Sequence, residues 1–169
     1  RLKNCKLIVR CGVGFDNVDA VAARKRGIPV ANVPDYGTEE VADSAIGLSL
    51  ALARGIAFLD TRLRRTPQHE WTHLSVRPLT RLRGQTFGIV GIGCIGTATA
   101  LRAKALGMDV LFYDPYVPDG FDKALGVRRA ETLEELLSQS KIVSPHCPLT
   151  DETRHLINAD TLALMPGGS

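Results

Sequence analysis

Three glycines at a fixed spacing carry the clearest chemical signal in this 169-residue sequence. The segment GIGCIG at 91–96 follows the apolar run TFGIV and precedes a stretch with helical spacing. Between a strand and a helix, Gly91 permits the tight turn, Gly93 lets a pyrophosphate approach the backbone, and Gly96 allows close packing of helix on strand. Cys94 and Ile95 open the helix, where free N–H groups attract phosphate. The pattern predicts a dinucleotide-binding turn.

An acidic residue ends the next apolar run. Asp114 closes DVLFYD at 109–114, where a carboxylate accepts hydrogen bonds from the adenosine ribose and repels a 2′-phosphate. Pro115 and Tyr116 follow it and offer no cation for such a phosphate. The sequence therefore favours NAD over NADP. The alternatives are a glycine-rich turn in an unrelated α/β protein and a Rossmann methyltransferase, and the full pattern with its acid disfavours both.

Short apolar runs alternate with helical patterns along the chain, which predicts an α/β fold with a parallel sheet covered on both faces. One long helix is expected to start at Thr38 and to be apolar almost all round from Val41 to Leu59, so that it is buried against two partners. Thr132 and Glu135 have capping-box spacing ahead of a short helix. We predict strands at 6–10, 28–33, 86–91, 109–114 and 141–146 and further helices at 18–27, 94–107 and 159–165.

The amino-acid composition and the distribution of charge disfavour several classes of protein. Hydrophobic residues make up 44% and charged residues 23% of the chain, which is typical of a globular protein, and no charge-free stretch is long enough for a membrane span. Most of the basic excess lies between 62 and 83, with little aromatic interleaving, so we do not expect direct nucleic-acid binding. The four cysteines have no zinc-site spacing, and no metal is predicted. Free thiols favour a reducing, cytoplasmic location.

Several motifs in order resemble the D-isomer-specific 2-hydroxyacid dehydrogenase family. They are RCGVGFDNVD, NVPDYGTEEVADSAIGLSLALAR, RLRGQTFGIVGIGCIG and HCPLTDETRHLI, and phrases such as LRAKALGMDVLFYDPYVPDG are similar to the branch of the C-terminal-binding-protein corepressors. The resemblance implies that residues 1–35 are the end of a flavodoxin-like substrate domain. Residues 36–169 would be a doubly wound, Rossmann-type NAD-binding domain that is incomplete at its C-terminal side.

The same resemblance implies roles for particular residues. On the substrate side, Arg10, Val13 and Gly14 would lie by the substrate carboxylate and the cofactor, and Tyr36 would face the cleft. Val41 would lie near the nicotinamide. The remaining cofactor contacts would come from the glycine-rich turn, Asp114, Pro115, Cys147, Pro148 and Thr153. The helix from Thr38 would line a homodimer interface.

Two positions depart from the family pattern. Cys94 stands where the family usually has Arg, so one cationic contact to the pyrophosphate is missing. Pro145 stands where an aliphatic residue is usual, and because proline cannot donate to a sheet ladder, we expect that strand to end early or to be distorted.

The family's catalytic residues are not in this chain. None of His69, His73, His146 and His155 has the context of the catalytic His, and the family's Arg and Glu come after the terminal GGS, so we expect an inactive internal piece of a longer protein. That protein would transfer hydride between NAD and a 2-hydroxy or 2-oxo acid. The alternative is an NAD-sensing transcriptional corepressor, and nothing in the sequence decides between them.

Overall fold

A computed structural model describes residues 4–65, 72, 76 and 79–169. His69, His73 and part of the basic segment lie outside these residues. Within them, no single helix is long and apolar enough to cross a membrane.

The N-terminal part forms a small parallel sheet. Strands β1 (Ile8–Arg10) and β2 (Val30–Asn32) pair in register and are joined by helix α1 (Ala20–Lys25). Asp19 caps α1 by accepting a 2.8 Å hydrogen bond from the Ala22 N–H, and Gly27 follows the helix with a φ of 66°. The strand–helix–strand order is as predicted, with shorter elements. The domain boundary at residue 35 stays a prediction.

The predicted single helix after Thr38 is wrong, because the structure has two. Helix α2 (Thr38–Ala53) ends before Gly55, and helix α3 (Ile56–Arg65) begins after it. The axes of the two helices differ by 61°. Gly55 has a φ of 62°, a left-handed conformation that breaks the helical path and that glycine adopts at no steric cost.

The main sheet has four parallel strands in the order β5-β4-β3-β6. Their bounds are β3 (Thr86–Val90), β4 (Asp109–Tyr113), β5 (Arg128–Arg129) and β6 (Ile142–Pro145). The connections contain α4 (Cys94–Ala105), α5 (Phe121–Leu125) and α6 (Leu133–Gln139), and α7 (Ala159–Ala163) follows β6. The predicted α/β class is confirmed. The sequence did not predict α5 and β5.

Both faces of this sheet are buried. Along β4, Val110 and Phe112 belong to one core cluster and Leu111 to the other. Helix α4 covers the first face with Ala100 and Ala103, and α6 covers the second with leucines at 136 and 137. Since a parallel sheet carries its crossover helices on both sides, continuous apolar strands are required. The core holds β3 in place, so the turn that follows β3 has a rigid base.

Helix α2 packs on α4 by one face. Ala42 is fully buried there, while the Arg102 guanidinium of α4 hydrogen-bonds the carboxylates of Glu39 and Asp43. Among the described residues, only Thr38 and Ala42 of α2 are buried. Burial against two partners is therefore not seen within this chain.

Two local predictions concern the helix cap at Thr132 and the end of β6 at Pro145. The Thr132 hydroxyl accepts the Glu135 N–H at 3.1 Å as a capping box requires, but the Glu135 carboxylate accepts from the Glu131 N–H instead of closing the box. Pro145 is the last residue of β6, as expected for an early end. The His146 N–H, one residue later, donates to the Val90 carbonyl at 2.7 Å.

Candidate functional site

The glycine-rich turn lies at the carboxyl end of β3, between the two neighbouring strands. Gly91 has a φ of 90°, and a Cβ there would lie 2.8 Å from the Cys147 backbone nitrogen. Its N–H donates to the Tyr113 carbonyl at 2.9 Å, at the end of β4. A side chain at Gly91 would therefore clash with the segment after β6, and glycine is required for this close approach.

Gly96 lies near the start of helix α4 and faces the glycine-rich turn, so its role differs from that of Gly91. A Cβ at Gly96 would collide with the Gly91 carbonyl oxygen and would lie 3.4 Å from the Ile89 side chain. The helix can rest on β3 only because this Cβ is absent. The predicted role of the third glycine is consistent with this packing.

Gly93 is open to solvent. It is the N-cap residue of α4, no side chain caps the helix there, and a Cβ at Gly93 would meet nothing within 4 Å. The first turn of α4 contains no acidic residue. Free N–H groups at Cys94 and Ile95 would thus face an unobstructed space, with the positive end of the helix dipole behind them. A phosphate fits this place, and Cys94 is exposed beside it.

Asp114 lies directly after β4 and holds the glycine-rich turn. One carboxylate oxygen accepts the Ile92 N–H and the other accepts the Tyr116 N–H, each at 2.9 Å. A carboxylate has about four acceptor positions, so two remain for other donors. The residue that was predicted to contact ribose is therefore also fixed against the glycine-rich turn.

A cation that lies against the main chain of Asp114 was not predicted from the sequence. Arg129 of β5 donates from Nη2 to the Asp114 carbonyl oxygen at 3.2 Å, and its Nη1 lies 3.5 Å from an Asp119 carboxylate oxygen. Its side chain is only 19% exposed. Pro115 and Tyr116 lack a charge, as the sequence indicated, but the fold supplies one from a strand too short for a sequence pattern to reveal.

The segment that follows β6 lies beside the glycine-rich turn. Cys147 packs against the second core cluster, and burial raises the pKa of its thiol. Burial lowers the pKa of His146, whose Nε2 lies 2.9 Å from the Ser144 hydroxyl. The Thr153 hydroxyl donates to the Pro148 carbonyl at 2.6 Å and accepts the Thr150 N–H at 2.8 Å. Thr153 thus shapes the loop beside Pro148.

A hydrogen bond joins the loops that follow β4 and β6. The Tyr116 hydroxyl donates to the Glu152 carboxylate, which raises the pKa of Tyr116. Both side chains belong to exposed residues. The bond adds little stability, but it connects the two walls on either side of the glycine-rich turn.

The predicted substrate-side residues lie in the N-terminal unit, which here means residues 4–36. Arg10 is half-buried, and its guanidinium folds over Gly12 and donates to the Cys11 carbonyl at 3.2 Å. The Val13 carbonyl accepts the Asn32 side-chain amide at 2.8 Å. Gly14 is exposed, and Tyr36 is 70% exposed. Their hydrogen bonds stay within this unit, so no described contact assigns them a ligand.

A cleft of about 980 Å³ lies between α2 and the free edge of β6. Val41, Leu48 and Leu52 line one side, and Ser144, Pro145 and His146 line the other. The glycine-rich turn and Asp114 do not line this cleft. The N–H groups at the start of α4 and the Asp114 carboxylate lie at the turn, outside this cleft.

Comparison with known proteins gives the context for this geometry. Residues 46–169 match the family model described as "D-isomer specific 2-hydroxyacid dehydrogenase, NAD binding domain". C-terminal-binding protein 1 of Caenorhabditis elegans is 41% identical over 171 residues, an alignment that covers 99% of this chain and 24% of that protein. D-3-phosphoglycerate dehydrogenase of Methanocaldococcus jannaschii is 39% identical, with 98% of this chain and 31% of that protein covered.

A solved structure is similar in fold as well. The Aquifex aeolicus D-lactate dehydrogenase, in complex with NAD and lactic acid, superposes with a TM-score of 0.82 at 33% identity and covers 95% of this chain and 46% of its own. The chain thus spans less than half the length of these relatives.

Proposed function

The chain belongs to the D-isomer-specific 2-hydroxyacid dehydrogenase family through its NAD-binding domain, and from this premise we propose that the whole protein transfers hydride between NAD and a 2-hydroxy or 2-oxo acid. One observation carries the cofactor half of the proposal. The Asp114 carboxylate is hydrogen-bonded to the Ile92 N–H at 2.9 Å. A ribose-binding acid and a phosphate-binding turn are thereby fixed to one another.

The residues present fit NAD. The uncapped start of α4 and the open space at Gly93 suit a pyrophosphate. The free acceptor positions of Asp114 suit the adenosine ribose hydroxyls, and Cys147 and Pro148 supply a wall for the adenosine. When bound, the nicotinamide supplies the hydride chemistry. The chain's own part is to bind the cofactor and to orient it.

Cofactor choice follows from the charge of Asp114. A 2′-phosphate would lie against this carboxylate, and Arg129, which could otherwise offset its charge, already donates to the Asp114 carbonyl and faces Asp119. We therefore propose NAD selectivity. Cys94 brings no positive charge to the pyrophosphate, so the main-chain N–H groups carry that contact alone.

The substrate side is proposed by family resemblance. Arg10, Val13 and Gly14 would face the substrate carboxylate, Tyr36 the cleft, and Val41 the nicotinamide. The half-buried guanidinium of Arg10 supports this, because a planar cation recognises a carboxylate through two parallel hydrogen bonds. Thr153 would approach the sugar–phosphate portion of the cofactor.

We further propose a homodimer through α2. Leu48 is 66% and Leu52 is 82% exposed on helix α2, which packs on α4 around the buried Ala42, and both leucines border the cleft beside β6. Exposed leucines on an ordered helix favour a protein partner. Four unpaired cysteines support a reducing, cytoplasmic compartment.

A second candidate is an NAD-sensing corepressor, which the 41% identity to C-terminal-binding protein 1 favours. Two assays on the full-length protein separate the candidates. Turnover of NADH with glyoxylate, pyruvate or a larger 2-oxo acid supports the dehydrogenase. NAD-dependent capture of partner peptides without any turnover supports the corepressor and overturns the enzymatic proposal.

A further inference from the structure

Arg129 occupies a position that a longer strand would fill. Strand β5 has two residues, and the Ala130 N–H makes its last contact with β4, a 2.8 Å hydrogen bond to the Phe112 carbonyl. Because alternate carbonyls along a strand point the same way, the next acceptor on this side is the Asp114 carbonyl. No main-chain N–H of β5 is available for it. The Arg129 side chain donates to it instead, at 3.2 Å.

This hydrogen bond fixes the main chain of a residue whose carboxylate is itself held twice. Ile92 and Tyr116 donate their N–H groups to the two carboxylate oxygens of Asp114. Asp114 is therefore restrained at both its carbonyl and its side chain. Without Arg129, the main chain of Asp114 would lose this restraint, and the residue would depend more on the carboxylate that ribose also needs.

The Asp119 carboxylate contributes little to this arrangement. It lies 3.5 Å from Arg129 but is fully exposed, and an ion pair in water adds little stability. The Arg129 side chain is only 19% exposed. Its hydrogen bond to the Asp114 carbonyl is the contact that restrains the main chain after β4.

We infer that Arg129 is a positioning residue for the cofactor, which holds Asp114 in the place where its carboxylate can accept the adenosine 2′-hydroxyl. The inference rests on the proposed role of Asp114 in NAD binding. Arg129 itself touches no cofactor atom in this account. It acts through the carbonyl of Asp114.

The test compares two arginine variants on one strand. Arg129→Met removes the donor, and Arg128→Met is the matched control, because the Arg128 guanidinium donates to the Gln139 side chain at 3.0 Å instead. NAD binding to the 169-residue chain is measured by calorimetry, together with binding of an NAD analogue that lacks the adenosine 2′-hydroxyl. Thermal unfolding of each variant is recorded alongside.

We expect Arg129→Met to weaken NAD binding about fivefold, on the order of 1 kcal/mol. Arg128→Met should change it by less than about twofold. For the 2′-deoxy analogue, the Arg129→Met loss should shrink to less than about twofold, because the contact that Arg129 positions is already absent. Arg129→Lys, which keeps one donor, should recover part of the affinity and carries the same comparison if the Met variant unfolds.

Equal NAD affinity of the wild type and Arg129→Met, or an equal loss for both ligands, would overturn the inference while leaving the proposed cofactor in place. A wild-type chain that binds neither ligand would instead refute the proposed function, and the inference with it.

Discussion

Substituting Gly96 by alanine tests whether the glycine-rich turn and α4 are packed as closely as described. The new Cβ would collide with the Gly91 carbonyl oxygen and lie 3.1 Å from the Gly91 carbonyl carbon. These are main-chain atoms of a turn that the Tyr113 carbonyl also holds. They cannot move as a flexible side chain can, so the turn must open or α4 must shift.

The size of the effect follows from two opposed terms. Overpacking a tight site costs about 1–3 kcal/mol, while replacing glycine by alanine in a helix gains about 0.5–1 kcal/mol. At the middle of both ranges the net loss is about 1 kcal/mol, which lowers Tm by about 2–4 °C in a chain of this size. NAD affinity should fall as well, because the N–H groups of the turn lose their alignment.

Gly47→Ala is the matched control. Gly47 lies within α2, and a Cβ there meets nothing within 4 Å. The remaining effect is the higher helix propensity of alanine than of glycine, so Tm should rise by about 1–3 °C. Thermal unfolding followed by circular dichroism measures both variants. If Gly96→Ala were as stable as Gly47→Ala and bound NAD like the wild type, the close contact between turn and helix would be wrong.

Three further predictions concern the same site. Gly93→Ala introduces no clash, because its Cβ enters open space, so Tm should fall by no more than about 2–4 °C, the loss from alanine at an N-cap. NAD binding should weaken about tenfold or more, because the new methyl group obstructs the phosphate; calorimetry with unchanged affinity would contradict this. The thiol of Cys147, whose pKa burial raises, should react with iodoacetamide only at higher pH than a cysteine in a short peptide, as rates from mass spectrometry would reveal. Burial lowers the pKa of His146, so the unfolded chain binds that proton more tightly and stability falls as pH drops below about 6.5. His146→Gln should reduce this decline in denaturant titrations, and a decline equal to that of the wild type would refute the assignment.

The parts of the fold that repeat a pattern could be predicted from the sequence. The run TFGIV and the small residues of α4 have strand and helix spacing, and their apolar positions form the core that holds the turn. The three glycines differ in their environments as the motif requires. Local pattern and tertiary structure agree there, because the same residues satisfy both.

The features that were not predicted from the sequence share physical reasons. Gly55 breaks the helix after Thr38 by its positive φ, a feature that hydrophobic periodicity does not register. Helix α5 has five residues between Gly120 and Gly126, and β5 has two, so neither is long enough to display a period. Arg129 could not be linked to Asp114 without the sheet order that places β5 beside β4.

Asp114, as the acid that recognises the adenosine ribose, is central to the proposed cofactor site. Its direct test is calorimetric titration of the chain with NAD and with NADP, before and after Asp114→Ala. We predict that the wild type prefers NAD by about tenfold or more and that the variant loses most of this preference, since the repelling carboxylate is gone. An NAD-to-NADP affinity ratio that stays the same after the substitution would contradict the assignment of Asp114 and the cofactor site built on it.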